Sequence, residues 1–451
     1  MELFKRNKAA TAVLTVLACV GVGAWIYQLM GGLAVTGMSN GVSWGAYITM
    51  FMFFVGLSAG GLIVASSASV FHIKAFKQVA MPAVILSTVC ICLAGMFVLI
   101  DLGGIQRVWR IVTGPNPASP LVWDICVITC YLVINILYLH FMRKGAERAV
   151  AMVSRFALPC AILVHSVTAW IFGLQIAKEG WFSAIMAPIF VASAMDSGLA
   201  LLLIVLSALN ASGRFKTPKE LIASLAGLLA TCIAVDAYFI FCEVLTMGYP
   251  GAAGAETLAL MVTGPTAPFF WFEVIGGLLV PFCVLVFAKN RAKTGLVVGA
   301  SVLVVAGVLC KRVWLLFTSF IGQNVAGAPG VMTADGWAMA GSYAPTLVEV
   351  TIIVGRSVGG RPRLHGPGLE AASARGRGGD GSGCDLPHQR PRAGVRPAGG
   401  VSEEEMGRGF GTSRLGGGSE PLRLGRRSSE LQPRTFPTGP PCCNGGPVFM
   451  F

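Results

Sequence analysis

The sequence predicts an all-α polytopic membrane protein with two parallel-repeat four-helix bundles, a peripheral first helix, a truncated tenth helix and a disordered C-terminal tail. Three observations predict this fold: depletion of charge, nine long apolar runs, and an alternation of positive charge between the connections. Hydrophobic residues make up 55% of the 451 residues and charged residues only 12%, whereas soluble domains usually carry about 25% charged residues. This depletion excludes an ordinary soluble enzyme. Because most cations lie in short segments between apolar runs, membrane topology explains the net charge of +13 better than nucleic-acid binding does.

Nine apolar runs are each long enough to form a transmembrane helix, since about 20 apolar residues cross a bilayer. A tenth run begins at Ala344 and stops at Gly355, too early to span. The nine runs are roughly Ala9–Leu33, Gly45–Phe71, Val79–Ile100, Leu121–Met142, Phe156–Gln175, Ser183–Ala208, Leu221–Met247, Ala267–Phe287 and Gly295–Phe317.

Positive charge alternates between the connections. If the N-terminus is cytoplasmic, the cytoplasmic segments hold 15 of the 20 Lys and Arg residues that precede residue 356. The outside connections then hold only Arg107, Arg110 and Lys178. Cytoplasmic loops are enriched in Lys and Arg, so the pattern predicts a multi-pass protein of the inner (cytoplasmic) membrane with a cytoplasmic N-terminus. The outside connections are mostly the long ones, and long loops carry function more often than short ones.

An internal repeat relates the spans. Val112-Thr-Gly-Pro115 leads to Trp123-Asp124, and Val262-Thr-Gly-Pro265 leads to Trp271-Phe-Glu273. Both segments run from an outside loop into a span, at an offset of four helices with unchanged orientation, which is typical of parallel repeats. We therefore expect five regions: 1–44 with the first helix, 45–182 as the first bundle (spans 2–5), 183–330 as the second bundle (spans 6–9), 331–355 as the truncated tenth helix, and the tail 356–451.

The tail has a different composition from the rest of the chain. It contains 14 Arg and no Lys, with many Gly, Pro and Ser residues. Codons for these residues are GC-rich, so the segment resembles the translation of a shifted reading frame. A genuine disordered cytoplasmic tail has a similar composition and stays an alternative. Translating the other two frames of the coding DNA decides between them.

Ionisable residues within spans are costly and indicate function by default. Most of those in this sequence lie toward the outside and predict a path that carries protons between a buried site and water. For any single residue the alternative is a structural ion pair, for example Asp236 or Glu273 with Lys311. The predicted path comprises Asp101, Asp196, Asp236, Glu243, Glu273 and Lys311.

No metal redox centre is expected in this chain. Only His72, His140 and His165 precede residue 356, which excludes a dihaem cytochrome with four His ligands. A single haem between His72 and His140, both at inner helix ends, stays open. The cysteines lack metal-finger and ferredoxin spacing. The chain can still handle electrons if it binds a quinone and the metal belongs to a partner protein.

Several segments together resemble the NrfD/polysulfide-reductase membrane-subunit family in its ten-span form. The resemblance covers about residues 10–355. It departs from the familiar pattern at Gly104-Ile-Gln106, at Phe182 and in the lost tenth helix. The matching segments include Gly56-Leu-Ser-Ala-Gly-Gly-Leu62, Asp101-Leu-Gly-Gly-Ile-Gln-Arg107, Ser119-Pro-Leu-Val-Trp123-Asp124, Val164-His165-Ser166, Gly180-Trp181, Lys311-Arg312 and Tyr343-Ala-Pro345-Thr-Leu-Val-Glu349.

This resemblance implies a quinone/quinol-interacting subunit of an anaerobic respiratory complex, without haem or iron–sulfur cluster of its own. Its bound substrate would be menaquinone or ubiquinone. Its partner would be a ferredoxin-like [4Fe-4S] subunit, often joined to a molybdopterin subunit or a multihaem cytochrome. Two other functions stay open: an ion-coupled transporter, and a passive membrane anchor of a redox complex.

The quinone site is expected in the outer half of the first bundle. His165 and Asp124 are its centre, with Trp123 and Ser58 as further contacts. A quinol loses two protons with its two electrons, and His is the side chain best matched to accept a proton near neutral pH. Arg107 and Arg110 are expected to dock the iron–sulfur partner or to position the quinone, because they place positive charge outside against the usual bias. A role as interface anchors together with Trp109 stays an alternative.

Overall fold

The computed structural model describes residues 8–39, 41–70, 73–213, 215–249, 252–321 and 342–359. These ranges are helical and contain no β-strand. The ten long helices are α1 (Lys8–Gly31), α2 (Ala46–Val70), α3 (Ala80–Asp101), α4 (Pro120–Lys144), α5 (Glu147–Gly173), α6 (Met186–Ala211), α7 (Lys219–Gly248), α8 (Ala267–Trp271, π-helical Phe272–Leu279 and Val280–Leu285), α9 (Thr294–Ile321) and α10 (Leu347–Gly359). Short helices occupy Gly32–Val35, Lys74–Lys77, Ile105–Arg107, Arg110–Thr113, Ala252–Val262 and Ala288–Arg291.

Helices α1 to α9 confirm the nine predicted spans. Each is long and apolar enough to cross a membrane, and within the described ranges no tenth helix meets that criterion. Helix α10 has 13 residues, or about 20 Å at 1.5 Å per residue, which is short of a hydrocarbon core of about 30 Å. It ends at Gly359, four residues beyond the predicted end of the apolar run.

Helices α2–α5 pack as one four-helix bundle and α6–α9 as a second. In each bundle the first helix contacts the second and the fourth, and the third contacts the fourth. The same contacts recur at an offset of four helices, as the predicted parallel repeat requires. The two bundles meet mainly where α2 and α5 pack against α6.

Glycines allow the helices to approach closely at the seam between the bundles. A Cβ atom built on Gly60 of α2 would lie 2.6 Å from the Ala194 carbonyl oxygen and from the Cα atom of Gly198 on α6. The same backbone approach joins Gly277 of α8 to Gly307 of α9, where an added Cβ would meet the facing Cα at 2.7 Å. Small residues at such crossings are typical of helix packing in membranes.

Helices α1 and α10 pack against each other, outside the two bundles, as predicted. They cross at Gly21 and Gly355, where a Cβ on Gly21 would lie 2.7 Å from the Gly355 Cα. Most large apolar side chains of α1 are exposed, which fits a peripheral helix facing lipid.

Buried Glu349 fixes the start of α10. Its carboxylate accepts hydrogen bonds from the Gly37 amide at 2.9 Å, the Thr346 amide at 2.8 Å and the Tyr343 hydroxyl at 2.7 Å. The Glu349 amide in turn donates to the Thr346 hydroxyl at 3.3 Å, which completes a capping box. The Tyr343 hydroxyl also accepts from the Ala46 amide at 2.8 Å, so α10 is tied to the start of α2.

The helices alternate in direction, and their two ends differ. The end that carries connections 32–45, 102–119, 174–185 and 249–266 is called the loop end below. The opposite end carries most of the core cations and is called the basic end. The predicted tail began at residue 356, but residues 356–359 continue helix α10. Residues 360–451 and most of the connection between α9 and α10 lie outside the described residues. The predicted boundaries of the five regions stay predictions.

Candidate functional site

The second bundle buries an ion cluster that joins three helices. Lys311 Nζ on α9 lies 2.9 and 3.0 Å from the carboxylate oxygens of Asp236 on α7, and 3.3 Å from Glu273 Oε1 on α8. The side chains of all three are at most 1% exposed. The Trp314 indole donates a hydrogen bond to the other oxygen of Glu273. The structural ion pair that the sequence left open is therefore present.

Glu273 reaches this cluster from the π-helical part of α8, Phe272–Leu279. Pro281 follows immediately in the next helical turn. Because proline has no backbone N–H, the carbonyl of Gly277 loses its usual partner four residues on, which favours a locally wider turn. Single π-helical turns occur frequently at functional sites.

Arg312 extends from this cluster to the first bundle. Its Nη2 donates to the Ser193 hydroxyl at 2.7 Å, and its guanidinium carbon lies 4.0 Å from the ring centroid of Phe190. A Cβ on Gly56 of α2 would lie 3.8 Å from Arg312 Nη2 and 3.9 Å from His165 Nε2. The imidazole of the first bundle and the guanidinium of the second therefore approach one point beside Gly56.

Asp196 lies on α6, one helical turn from Ser193, and is 0% exposed. Among the described residues neither of its carboxyl oxygens has a hydrogen-bond partner. It interacts electrostatically with Asp236 and Lys311. A buried carboxyl group without hydrogen bonds lowers stability, and the predicted role of Asp196 in a proton path stays a prediction.

Asp124 lies one turn nearer the loop end than His165. The Thr168 hydroxyl on α5 donates to Asp124 Oδ1 on α4 at 2.6 Å, and Asp124 is 3% exposed. Thr168 follows His165 by three residues, about 4.5 Å along the helix, so both face the same neighbours. Trp123 points away: its side chain is 38% exposed and its indole N–H donates to the Pro117 carbonyl at 2.6 Å. The structure thus brings Asp124 near His165 but not Trp123.

Ser58 belongs to a separate polar network between α2, α3 and α4. Its hydroxyl donates to the Ser87 carbonyl at 2.8 Å and lies 3.1 Å from the Tyr131 hydroxyl. The Ser87 hydroxyl donates to Asn135 Oδ1 at 2.9 Å. These groups satisfy one another, and Ser58 lies two residues from Gly56, so it faces another side of α2 than the one that meets His165.

Glu243 lies near the loop end of α7, seven residues or about 10 Å beyond Asp236 on the same helix face. It accepts a hydrogen bond from the Ser183 hydroxyl at 2.8 Å. Glu243 and Trp314 both line a cavity of about 10 Å³, close to the volume that one water molecule needs. Because Trp314 also contacts Glu273, this cavity adjoins the ion cluster.

Asp101, Arg107 and Arg110 lie at the loop end, apart from the cluster. Asp101 ends α3 and interacts electrostatically with Glu349 of α10, so it belongs to the region of α1 and α10. Arg107 and Arg110 are exposed on the two short helices of connection 102–119.

Lys178 is the third cation at the loop end and differs from these two arginines. Its ammonium group donates to the Ser319 carbonyl at 3.0 Å and lies 5.2 Å from the ring centroid of Phe320. Burial lowers the pKa of Lys178. Lys178 thus joins the connection 174–185 to α9, whereas the two exposed arginines are available to a partner.

Sequence reasoning gave no site role to Arg312 or to an aromatic cluster above it. Trp181 lies at the centre of this cluster, with ring centroids 6.0 Å from Trp44, 5.2 Å from Phe172 and 5.1 Å from Phe320. It separates the loop end from the buried charges. A second cation next to Lys311 in an apolar span is a sequence signal for a functional residue. Only the packing shows that the Arg312 side chain faces the first bundle.

Within the described ranges, no group of three or more His, Cys, Asp or Glu side chains is placed to hold a metal ion. His72, one of the two histidines considered for a single haem, lies outside those ranges. The sequence-based expectation that the chain has no metal centre therefore stays a prediction.

Comparison with known proteins identifies the family. The model of the family "Polysulphide reductase, NrfD" matches residues 34–324. The chain is 36% identical to a putative dimethyl sulfoxide reductase membrane subunit of Halobacterium salinarum, over 76% of this chain and 86% of the relative. It is 30% identical to the Hdr-like menaquinol oxidoreductase integral membrane subunit of Archaeoglobus fulgidus, over 76% and 88%. It is 26% identical to a selenate reductase subunit of Mesobacillus selenatarsenatis, over 77% and 90%.

The extent of these matches confirms the resemblance on which the sequence-based prediction depended. Together with the nine apolar helices, they make the protein a multi-pass membrane protein. The chain belongs to the polysulphide reductase NrfD family.

Proposed function

We propose that the chain is the quinone-interacting membrane subunit of an anaerobic respiratory oxidoreductase complex, and that it exchanges electrons between a quinol and an iron–sulfur partner subunit. The names of its relatives support this role, since they are subunits of menaquinol, dimethyl sulfoxide and selenate oxidoreductases. The observation that carries it in this chain is that His165 and Asp124 are both buried and are linked through Thr168, which bonds Asp124 and lies one helical turn from His165.

The chemistry of a quinol fits this pair. Its oxidation releases two electrons and two protons, and each oxygen needs a nearby group that accepts a proton. His165 and Asp124 are buried proton acceptors on adjacent helices α4 and α5, so a headgroup between these helices can contact both. A relative named for menaquinol favours menaquinone over ubiquinone as the bound substrate.

Protons leave the site through buried acids. The first route passes Asp101 at the loop end of α3. The second passes Asp196, the cluster of Lys311 with Asp236 and Glu273, and then Glu243 beside its cavity. The second route has more support, because Lys311 contacts Asp236 and Glu273, and Trp314 joins Glu273 to the cavity that Glu243 lines.

The partner docks at the loop end. Arg107 and Arg110 are exposed there and have no acidic partner among the described residues. With the N-terminus in the cytoplasm, the loop end faces outside the cytoplasmic membrane. A ferredoxin-like [4Fe-4S] subunit on this face, joined to a molybdopterin subunit or a multihaem cytochrome, would lie within electron-transfer reach of a quinol beside Asp124.

The test is quinol oxidation by the assembled complex with His165→Gln or Asp124→Asn. We expect each variant to lower the rate at least about 100-fold, because a positioned proton acceptor contributes about 10² to 10⁴ to a rate. His140→Gln is the matched control, since His140 lies near the basic end, away from the proposed site. Normal rates in both site variants, with an intact complex, would refute the assignment.

A passive anchor is one of the two alternatives that the sequence left open, and the same experiment separates it from the proposal. An anchor tolerates loss of the buried acids and of His165 but still needs the docking surface. Replacing both Arg107 and Arg110 by Gln should weaken co-purification of the partner in either case. An anchor therefore predicts a defect only in the arginine variant, whereas the proposed function predicts a defect in both kinds of variant.

A further inference from the structure

Six ionisable side chains that are almost completely removed from solvent lie at the seam between the two bundles or next to it, inside the second bundle. Each is at most 1% exposed. Two are cations, three are carboxyl groups and one is an imidazole. They are Lys311, Arg312, Asp236, Glu273, Asp196 and His165.

The charges of this group do not balance if every acid is ionised. Lys311 is paired with Asp236 and also contacts Glu273. Arg312 makes no ion pair within 4 Å among the described residues, but its positive charge interacts with all three acids, Asp236, Glu273 and Asp196. Two positive charges thus face three negative charges, and one carboxylate is in excess. Asp196 is the one of the three acids that makes no ion pair within 4 Å among the described residues.

An uncompensated charge in such a site is strongly destabilising. Because Asp236 and Glu273 are both paired with Lys311, we take these two acids as ionised. Two arrangements then avoid an excess charge: Asp196 protonated with His165 neutral, or Asp196 ionised with His165 protonated. They have the same net charge and differ only in which residue carries one proton. Protonating both residues, or neither, leaves one excess charge in a region of low dielectric.

Arg312 interacts electrostatically with both residues. Its Nη2 and the His165 Nε2 both border Gly56, as described above. The same Nη2 is bonded to Ser193, which lies one helical turn from Asp196 on α6. The Nε and Nη1 donors of Arg312 and both oxygens of Asp196 lack partners among the described residues, so donors and acceptors on the two side chains are complementary.

We propose that His165 and Asp196 share a single proton across Arg312, so that His165 accepts a proton from quinol only as Asp196 releases one. The inference rests on the proposed function and assigns a positioning role to Arg312. In the resting state the proton is on Asp196, because Arg312 repels a second positive charge on the neighbouring imidazole.

The step balances in atoms and charge. Both quinol O–H bonds break: one proton moves to His165 Nε2 and the other to Asp124, while the two electrons pass to the iron–sulfur partner and leave the quinone. The Asp196 O–H bond breaks and its proton moves toward Asp236 and Glu273, then to Glu243. The cluster keeps its net charge throughout, and the Asp196 proton returns from His165 before the next turnover. Proton uptake in the first bundle is thereby tied to release through the second.

The first test is infrared spectroscopy of the purified complex, which detects the C=O stretch of a protonated carboxyl group without any turnover. The resting wild-type complex should show a band that Asp196→Asn removes and that His165→Gln retains. If Asp196→Asn does not assemble, Asp196→Glu keeps the acid and should shift the band. Identical spectra of wild type and the assembled Asp196 variant would show that Asp196 is ionised at rest, and would overturn the inference.

The second test follows the same band during a single turnover with menaquinol. The band should decrease in wild type and in Arg312→Lys, which keeps the charge, and should stay constant in His165→Gln. A band that stays constant in wild type during normal quinol oxidation would overturn the inference but not the proposed function. A wild-type complex that oxidises no quinol would instead overturn the proposed function, whatever the resting spectrum shows.

Rates provide an independent measurement. Residues that act as one unit lose activity non-additively. If either His165→Gln or Asp196→Asn lowers the rate of quinol oxidation about 100-fold, the rate of the double variant should be no lower than that of the slower single variant. A double variant about 10,000-fold slower than wild type would mean that the two residues act separately.

Discussion

Replacing Gly60 by Ala tests the packing that holds the two bundles together. The added Cβ would lie 2.6 Å from both the Ala194 carbonyl oxygen and the Gly198 Cα, whereas ordinary contacts at such a position are 3.4–4 Å. The shortfall is about 1 Å. Because the obstructing atoms are backbone, no side chain can rotate away, and helix α6 itself must move relative to α2.

The cost can be estimated from two opposing effects. Overpacking of this kind costs about 1–3 kcal/mol, and a displaced helix backbone belongs at the upper end. Alanine is favoured over glycine in a helix by about 1 kcal/mol, which offsets part of it. We expect Gly60→Ala to lower the free energy of unfolding by about 2 kcal/mol. The seam that carries Gly56 and the approach of His165 to Arg312 would widen at the same time.

The matched control is Gly95→Ala on helix α3. A Cβ on Gly95 meets nothing within 4 Å, so only the helix preference remains and the variant should be equal to or more stable than wild type. The assay is denaturant or thermal unfolding of the purified protein in detergent, followed by tryptophan fluorescence. Equal unfolding midpoints for the Gly60 and Gly95 variants would refute the reasoning, because they would show that the close approach of α2 and α6 is absent.

Three further substitutions test the other polar contacts. Lys311→Met leaves two buried carboxylates without their cation and should lower the free energy of unfolding by about 3–5 kcal/mol in the same unfolding assay. Lys311→Arg keeps the positive charge and should recover part of this loss. Glu349→Gln removes the charge from a buried acceptor of three hydrogen bonds and should weaken the attachment of α10 by about 1–3 kcal/mol. The expected result is faster proteolysis between α9 and α10. Unchanged cleavage would mean that these bonds do not hold α10 in place. Thr168→Val removes the hydrogen bond to Asp124 and should change the KM for quinol in the complex by about 10-fold, because one such bond contributes about 1.5 kcal/mol. An unchanged KM would place the quinol headgroup elsewhere.

The sequence by itself determined the spans and their number, which the described helices confirm. These follow from the length of apolar runs, a property of the chain that acts through the bilayer and needs no knowledge of tertiary contacts. The placement of Lys and Arg predicts which helix ends face the cytoplasm, and this orientation stays a prediction. The pairing of Lys311 with Asp236 or Glu273 was foreseeable for the same reason, since few opposite charges are present in the apolar spans.

Only the tertiary structure decided which side chains share a site. Trp123 and Asp124 are adjacent in sequence, but successive helical residues point about 100° apart, so one faces outward and the other contacts Thr168. Ser58 lies two residues from Gly56 and faces a different helix pair.

Arg312 illustrates the same limit. Its neighbour Lys311 bonds within the second bundle, while Arg312 reaches Ser193 and the point beside Gly56 where His165 of the first bundle also lies. The rotation of each helix about its axis is set by close packing at contacts such as Gly60 and Gly198, which join residues far apart in the chain. Hydropathy and charge place a helix in the membrane, but they do not determine its rotation about its own axis. This rotation decides which side chains face one another and therefore which of them form the site.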